Sequence, residues 1–229
     1  MSSPTMTQTP AQPRMNTKTI TSIAMLTGIA YLVMLLSKLM PSVNGFLDFD
    51  FKDVVICVGG FTFGPLAAAI ISILVSFLEL IFISTTGPIG LIMNILATSS
   101  FCCTASYIYK KHHTKSGAVL GLTVGVVCLT AVMLLWNYLI TPLYQGVPRS
   151  VVAAMLPTVF LPFNLAKGGM NMAATLLLYK PVVSALRSAG LVPPSQSRQE
   201  KTFNAGFLLF SLALLATFVV FALVLAGVI

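Results

Sequence analysis

Apolar runs long enough to cross a lipid bilayer recur along this chain, and they limit its fold more than any other feature. A helix of about 20 residues spans the hydrocarbon core of a membrane. Seven runs can be drawn, over residues 19–40, 51–61, 63–84, 87–109, 116–144, 156–178 and 203–229, of which the second is too short to cross alone. Hydrophobic residues make up 57% of the chain and charged residues 8%. Because a helix satisfies the hydrogen-bonding groups of its own backbone in lipid, the sequence predicts an all-α integral membrane protein.

The formal net charge of +8 raises the question of a nucleic-acid partner, but the positions of the basic residues indicate membrane topology instead. They cluster before the first run, between the fourth and fifth, and after the sixth, at Arg14, Lys18, Lys110, Lys111, Lys115, Arg187, Arg198 and Lys201. An even number of runs separates these clusters, so all three lie on one side. The positive-inside rule makes that side the cytoplasm. We therefore expect a multi-pass protein of the cell membrane with a cytoplasmic N-terminus. We expect no nucleic-acid partner.

Lys167 lies inside the apolar run 156–178, where a charge costs at least about 2.5–3.5 kcal/mol on insertion scales. Asn164, Lys167 and Asn171 are spaced i, i+3 and i+7, which places them on one face of a helix. Two interpretations are open. Lys167 can pair with Glu79 or an aspartate to fix helix packing, or it can contact a ligand. We favour ligand contact, because the two amides offer hydrogen-bonding groups that an ion pair alone does not require.

Asn137 is a second buried polar candidate, since it follows Trp136 inside an apolar helix. A pocket that combines Asn137, Asn164, Lys167 and Asn171 with aromatic walls suits a planar heterocycle that is uncharged or weakly anionic. A multiply phosphorylated ligand would need more cations. Glu79 is open to three explanations: an ion or proton site, a side chain that reaches the membrane interface, or a partner for a lysine.

The chain lacks common enzyme motifs: it has no H-E-x-x-H, no G-x-S-x-G and no G-x-x-x-x-G-K-[ST] phosphate loop. The four cysteines, Cys57, Cys102, Cys103 and Cys128, lack metal-ligand spacing and are expected to be small buried apolar residues. The sequence therefore predicts neither an enzyme nor a metal site. It also predicts that the chain does not hydrolyse ATP itself.

Five segments occur in an order that resembles a known family. They are FLDFDFKDVV, GGFTFGPLAA, TTGPIGLIMNILA, WNYLITPLYQG and LPFNLAKGGMN, and they are similar to landmarks of riboflavin-specific S components of energy-coupling factor (ECF) transporters. The resemblance covers residues 18–187 and implies a six-helix substrate-binding membrane domain. The expected remainder is a polar disordered tail (1–17), a cytoplasmic linker (188–202) and an additional C-terminal transmembrane helix (203–229), which the usual S component lacks.

The resemblance implies a membrane subunit that captures riboflavin at the outer face for ATP-driven uptake. It also implies a transmembrane T component and two cytoplasmic ATPases as partners, with riboflavin as transported ligand and no cofactor. The expected ligand-binding residues are Asn137, Asn164, Lys167 and Asn171, with Asp53, Phe49 and Gly87 as weaker candidates in the closing loops. For Asp53, a helix N-cap role is the simpler explanation.

The resemblance further implies that small residues on the first helix dock the T component. Ala24 and Gly28 match this A-x-x-x-A spacing, with glycine in place of the second alanine. Small residues four apart let helices approach closely, although packing within the chain explains them equally well.

Two other functions stay open, an S component for another vitamin and a non-transporting membrane scaffold.

Overall fold

The computed structural model describes residues 17–40, 42–43, 45, 47–84, 86–192 and 205–228. The predicted tail (1–17) lies outside these residues except for Thr17, which begins the first helix. The predicted linker (188–202) lies outside them from residue 193 onward, and the helix before it continues to Ser188.

The regular elements in this part of the chain are helices. They are α1 (Thr17–Ser37), α2 (Lys52–Phe63), α3 (Pro65–Phe82), α4 (Gly87–Lys111), α5 (Lys115–Gln145), α6 (Arg149–Met155), a π-helical turn (Leu156–Phe160), α7 (Leu161–Ser188) and α8 (Ala205–Leu225). The segment Arg149–Ser188 is one continuous candidate span, and α1, α3, α4, α5 and α8 are also long and apolar enough to cross a membrane. The predicted all-α membrane bundle with an additional C-terminal helix is confirmed.

Helix α2 is short because the chain before it enters the bundle without forming a helix. We call residues 47–51 the inserted segment. Its Phe49 and Asp50 are buried, and its backbone is satisfied by side chains: the Phe51 N–H donates to Ser37 Oγ at 3.1 Å, and Asn171 Nδ2 donates to the Asp50 carbonyl at 2.9 Å. Irregular backbone at membrane depth is tolerated only where protein surrounds it. The inserted segment therefore places side chains of the α1–α2 loop inside the bundle.

Glycines on α5 allow it to approach α4 closely. A Cβ at Gly121 would lie 2.8 Å from the Ala105 carbonyl oxygen, and a Cβ at Gly125 would lie 2.8 Å from the Phe101 carbonyl oxygen. Lipid tails are as apolar as leucine, so helices in a membrane associate through close packing rather than through the hydrophobic effect. This pair of glycines, which we call the α5 glycine seam, was not identified from the sequence.

Two apolar clusters fill the bundle. The larger lies among α1–α5 and α7, around Leu26, Ile71, Phe101 and Leu122. The smaller surrounds Phe49 of the inserted segment and also contains Phe163 and Met170 of α7 and Ala222 of α8. The inserted segment is thus held between α7 and the additional C-terminal helix.

Replacing Gly125 by leucine is expected to destabilise the protein by about 1–3 kcal/mol, because the side chain must push α5 away from the α4 backbone. The matched control is Gly28→Leu on α1, where a Cβ meets nothing within 4 Å. Thermal unfolding in detergent measures the melting temperatures of both variants. Equal melting temperatures for the two variants would contradict the role of the α5 glycine seam.

Candidate functional site

Lys167 of α7 is paired with the inserted segment. Its Nζ lies 2.7 Å from Asp50 Oδ2, and the two side chains are only 11% and 10% exposed. The ion pair that the sequence left open is therefore present, with an aspartate from the α1–α2 loop. This pairing leaves ligand contact available, because an ammonium group has three N–H donors and Asp50 accepts one of them.

A second buried lysine continues the network. Lys52 begins α2, its side chain is 2% exposed, and its Nζ lies 3.7 Å from Asp50 Oδ2 and 3.3 Å from Glu79 Oε2. Glu79 Oε2 also accepts a hydrogen bond from Asn94 Nδ2 at 2.8 Å. Charges alternate along Lys167, Asp50, Lys52 and Glu79, which we call the ion chain. Its two cations and two anions neutralise each other, as buried charges require.

Lys52 and Asn94 were missed from the sequence, whereas pairing of Glu79 with a lysine was one of the alternatives and is present. The available signal was the position of Lys52 between Asp50 and Asp53 at the start of an apolar run too short to span the membrane. A run of that length indicates that the chain before it completes the crossing in another conformation, and the polar residues beside it must then be buried.

Asn171 connects α7 to the same place. Its Nδ2 donates to the Asp50 carbonyl at 2.9 Å and to the Lys167 carbonyl at 3.1 Å. Within the described part of the chain, Asn171 Oδ1 and Asp50 Oδ1 accept no hydrogen bond, although both atoms are buried. Buried acceptors are normally satisfied. This arrangement can therefore receive hydrogen bonds from a polar ligand beside the Lys167 ammonium.

Phe49, another predicted site residue, lies next to the ion chain. Its ring centroid is 4.9 Å from that of Phe163 on α7. The structure thus brings together three of the seven predicted ligand residues, namely Phe49, Lys167 and Asn171. It adds Asp50 and Phe163 to them.

The other predicted asparagines bond to their own helices. Asn164 Nδ2 donates to the Phe160 carbonyl at 2.7 Å, at the end of the π-helical turn. Asn137 Nδ2 donates to the Met133 carbonyl at 2.7 Å, and its Oδ1 accepts from Thr141 Oγ1 at 2.9 Å. Both side chains are buried, and none of these three hydrogen bonds reaches the ion chain.

Asp53 and Gly87 have structural roles at two helix starts. Helix α2 begins at Lys52 with Phe51 as N-cap, so the predicted N-cap role of Asp53 is wrong. The helix starts before Asp53, whose carboxylate instead accepts from Thr98 Oγ1 of α4 at 2.8 Å. Gly87 begins α4 with φ +59°, a left-handed conformation that favours glycine, and its N–H donates to Ser84 Oγ at 3.1 Å.

Ala24 and Gly28 are exposed on α1, and a Cβ at Gly28 would meet nothing within 4 Å. The buried residues of α1, such as Ile23 and Leu26, lie on its other side. The two small residues therefore face outward, away from the core of this chain.

Fold and site together define a multi-pass helical membrane protein with a buried network of charged and polar side chains. The chain belongs to the family of substrate-specific components of ECF transporters, because the family model "ECF transporter, substrate-specific component" matches residues 18–179. A solved structure described as "Structure and mechanism of the S component of a bacterial ECF transporter" aligns with a TM-score of 0.63 and 30% identity, covering 74% of this chain and 98% of that one.

Curated relatives agree with the family. The riboflavin transporter RibU of Staphylococcus aureus is 30% identical over 176 residues, covering 74% of this chain and 93% of the relative. The riboflavin transporter FmnP of Bacillus subtilis is 28% identical over 187 residues, covering 76% and 98%. The relatives are transporters, so the predictions of a substrate-binding importer component and of a protein that is not an enzyme are confirmed. Helix α8 begins 26 residues after the family match ends (179 to 205).

The ion chain predicts a specific pattern of stability. Glu79→Gln removes the nearer of the two ion-pair partners of Lys52 and leaves Asp50 at 3.7 Å, and breaking a buried pair in this way costs about 3–5 kcal/mol. The double variant Lys52→Met/Glu79→Leu removes both charges, and we expect it to recover most of that loss. Unfolding in detergent measures the stability of each variant.

The control for these variants is Lys38→Met, which breaks the exposed pair of Lys38 and Asp48, whose side chains are 41% and 45% exposed. It is expected to change stability by less than about 1 kcal/mol. A Glu79→Gln protein as stable as this control would show that Glu79 does not hold Lys52 in the bundle.

Proposed function

We propose that this chain captures riboflavin at the outer face of the membrane and passes it to the rest of an ECF importer. The observation that carries the proposal is that curated relatives aligned over 93% and 98% of their own length are named riboflavin transporters. The site chemistry supports the same ligand class, since it combines hydrogen-bonding groups with aromatic side chains.

The hydrogen-bonding groups of riboflavin complement those around the ion chain. The flavin ring presents carbonyl oxygens and ring nitrogens, which the Lys167 N–H groups that do not bond Asp50 can bond. Its imide N–H and the ribityl hydroxyls are donors, and Asp50 Oδ1 and Asn171 Oδ1 are buried acceptors close to Lys167. Phe49 and Phe163 supply an aromatic wall for the flat ring.

The neutrality of the ion chain favours an uncharged ligand over a phosphorylated one. Lys167 and Lys52 are already balanced by Asp50 and Glu79, so a phosphate would bring negative charge into a buried site without a free cation of the ion chain to meet it. We therefore expect the site to prefer riboflavin over flavin mononucleotide.

The orientation in the proposal follows from the basic residues. Lys110, Lys111 and Lys115 mark the turn between α4 and α5, which the positive-inside rule places in the cytoplasm. Helix α1 then starts in the cytoplasm, and its end at Ser37 and the inserted segment belong to the outer half. This orientation gives the site access from outside and a cytoplasmic N-terminus.

In this proposal, partner proteins supply the energy for import, because the chain carries no phosphate-binding loop. Those partners are a transmembrane T component and two cytoplasmic ATPases. Ala24 and Gly28 form the docking face on α1: both are exposed, and their small size lets another helix come close.

Lys167→Met is expected to weaken riboflavin binding by roughly 10- to 150-fold, because a hydrogen bond to a charged group contributes about 1.5–3 kcal/mol. Quenching of flavin fluorescence on titration measures the Kd in detergent. Lys111→Met, at an exposed lysine where α4 ends, serves as the matched control and is expected to bind like wild type. Unchanged affinity in a folded Lys167→Met protein would show that Lys167 does not contact riboflavin.

Ala24→Leu/Gly28→Leu is expected to abolish most riboflavin uptake in cells that supply the partner proteins, while binding by the purified variant stays at the wild-type level. The leucines block helix approach at the docking face. The control is Ala216→Leu, an exposed alanine on α8. Normal uptake by the double variant would refute docking at Ala24 and Gly28, and loss of binding would indicate a packing role.

A further inference from the structure

Helix α8 packs closely on the part of α7 that carries the site. Gly169 lies midway between Lys167 and Asn171, and a Cβ at Gly169 would overlap the Phe218 ring of α8. A residue without a side chain at this position is what allows the aromatic ring to lie against the α7 backbone. Close approach at a small residue is the main source of helix association in lipid.

The outer part of α8 also contacts the inserted segment. Ala222 is buried in the same cluster as Phe49 and Met170. A small cavity of about 20 Å³ lies at this junction, lined by Met40, Phe49, Met170, Val219, Ala222 and Leu223. Three parts of the chain meet there: the α1–α2 loop, α7 and α8. A space this small holds one water at most, so the junction is nearly completely packed.

Phe49 joins this packing to the ion chain. It is followed directly by Asp50, whose carboxylate bonds to Lys167 at 2.7 Å. A shift of Phe49 therefore moves Asp50 and changes access to the Lys167 ammonium. Because Phe49 packs between α7 and α8, movement of the inserted segment must first disrupt its contacts with α8.

We propose that α8 positions the inserted segment over the substrate site and thereby slows exchange of the substrate, with Phe218 and Ala222 as the positioning residues. The inference rests on the proposed function for its ligand, but the packing of α8 on the inserted segment does not depend on that ligand. Because α8 lies beyond the family match, this restraint is an addition of this chain to the common bundle.

Most of the remaining α8 surface is exposed, including Leu209, Phe210, Leu212, Val220 and Val224. A helix that serves only as an anchor in lipid would tolerate changes on either face equally. A positioning helix is sensitive on the face toward Gly169 and Phe49 and tolerant on the other. This difference separates the two roles.

The first test compares Phe218→Ala with Phe210→Ala in full-length protein in lipid nanodiscs. Stopped-flow fluorescence measures riboflavin binding, and hydrogen–deuterium exchange measures opening of residues 47–51 without any ligand. Phe218→Ala is expected to raise both the dissociation rate and the amide exchange rate by about tenfold, with a smaller change in Kd. Phe210→Ala is expected to match wild type, since Phe210 is half exposed and lies outside the junction with the inserted segment.

The second test restrains the junction instead of loosening it. Met40→Cys and Leu223→Cys place thiols on two residues that line the small cavity, and a short reducible cross-linker joins them. Cross-linking is expected to slow riboflavin exchange at least about tenfold, with recovery after reduction. The two single-cysteine variants control for the reagent and for the native cysteines.

Each result has a defined meaning. Equal behaviour of Phe218→Ala and Phe210→Ala, failure of the thiols to cross-link, or unchanged exchange after cross-linking would each overturn the proposal. If wild-type protein does not bind riboflavin, the proposed ligand is wrong, while the amide exchange of residues 47–51 still decides whether α8 restrains the inserted segment.

Discussion

The bond between Lys167 and Asp50 is the interaction on which the rest of the structure depends. A lysine in the interior of a membrane bundle requires a partner, and Asp50 can serve only if its loop enters the bundle. That entry shortens α2, buries Lys52 and brings in Glu79 to balance it. The inserted segment, the short helix and the neutral ion chain are therefore consequences of placing one ammonium group on α7.

Packing surrounds this polar network with continuous helices and one irregular segment. The α5 glycine seam brings α5 against the α4 backbone, and α7 carries Lys167 and Asn171 on a continuous helix. The inserted segment is irregular and is held by side-chain hydrogen bonds, the ion pair and α8. The proposed binding residues thus lie on a continuous helix, and the irregular inserted segment packs beside them.

The fold was largely predictable from sequence because apolar run length reports directly on helices that cross a bilayer. The face shared by Lys167 and Asn171 was predictable from helical periodicity, and the structure confirms that both residues reach Asp50. Lys52 and Asn94 were not, because their partners are set by tertiary insertion of a loop rather than by spacing along one helix. The N-cap assignment of Asp53 failed for the same reason: its partner, Thr98, lies on another helix.

The central claim, that this chain binds riboflavin beside a neutral ion chain, is tested most directly by fluorescence titration of the purified wild-type protein with riboflavin and with flavin mononucleotide. The account predicts saturable one-to-one quenching by riboflavin and much weaker quenching by the phosphorylated flavin. Absence of quenching by riboflavin would contradict the proposed ligand, and equal quenching by both flavins would contradict the role of charge neutrality at the site.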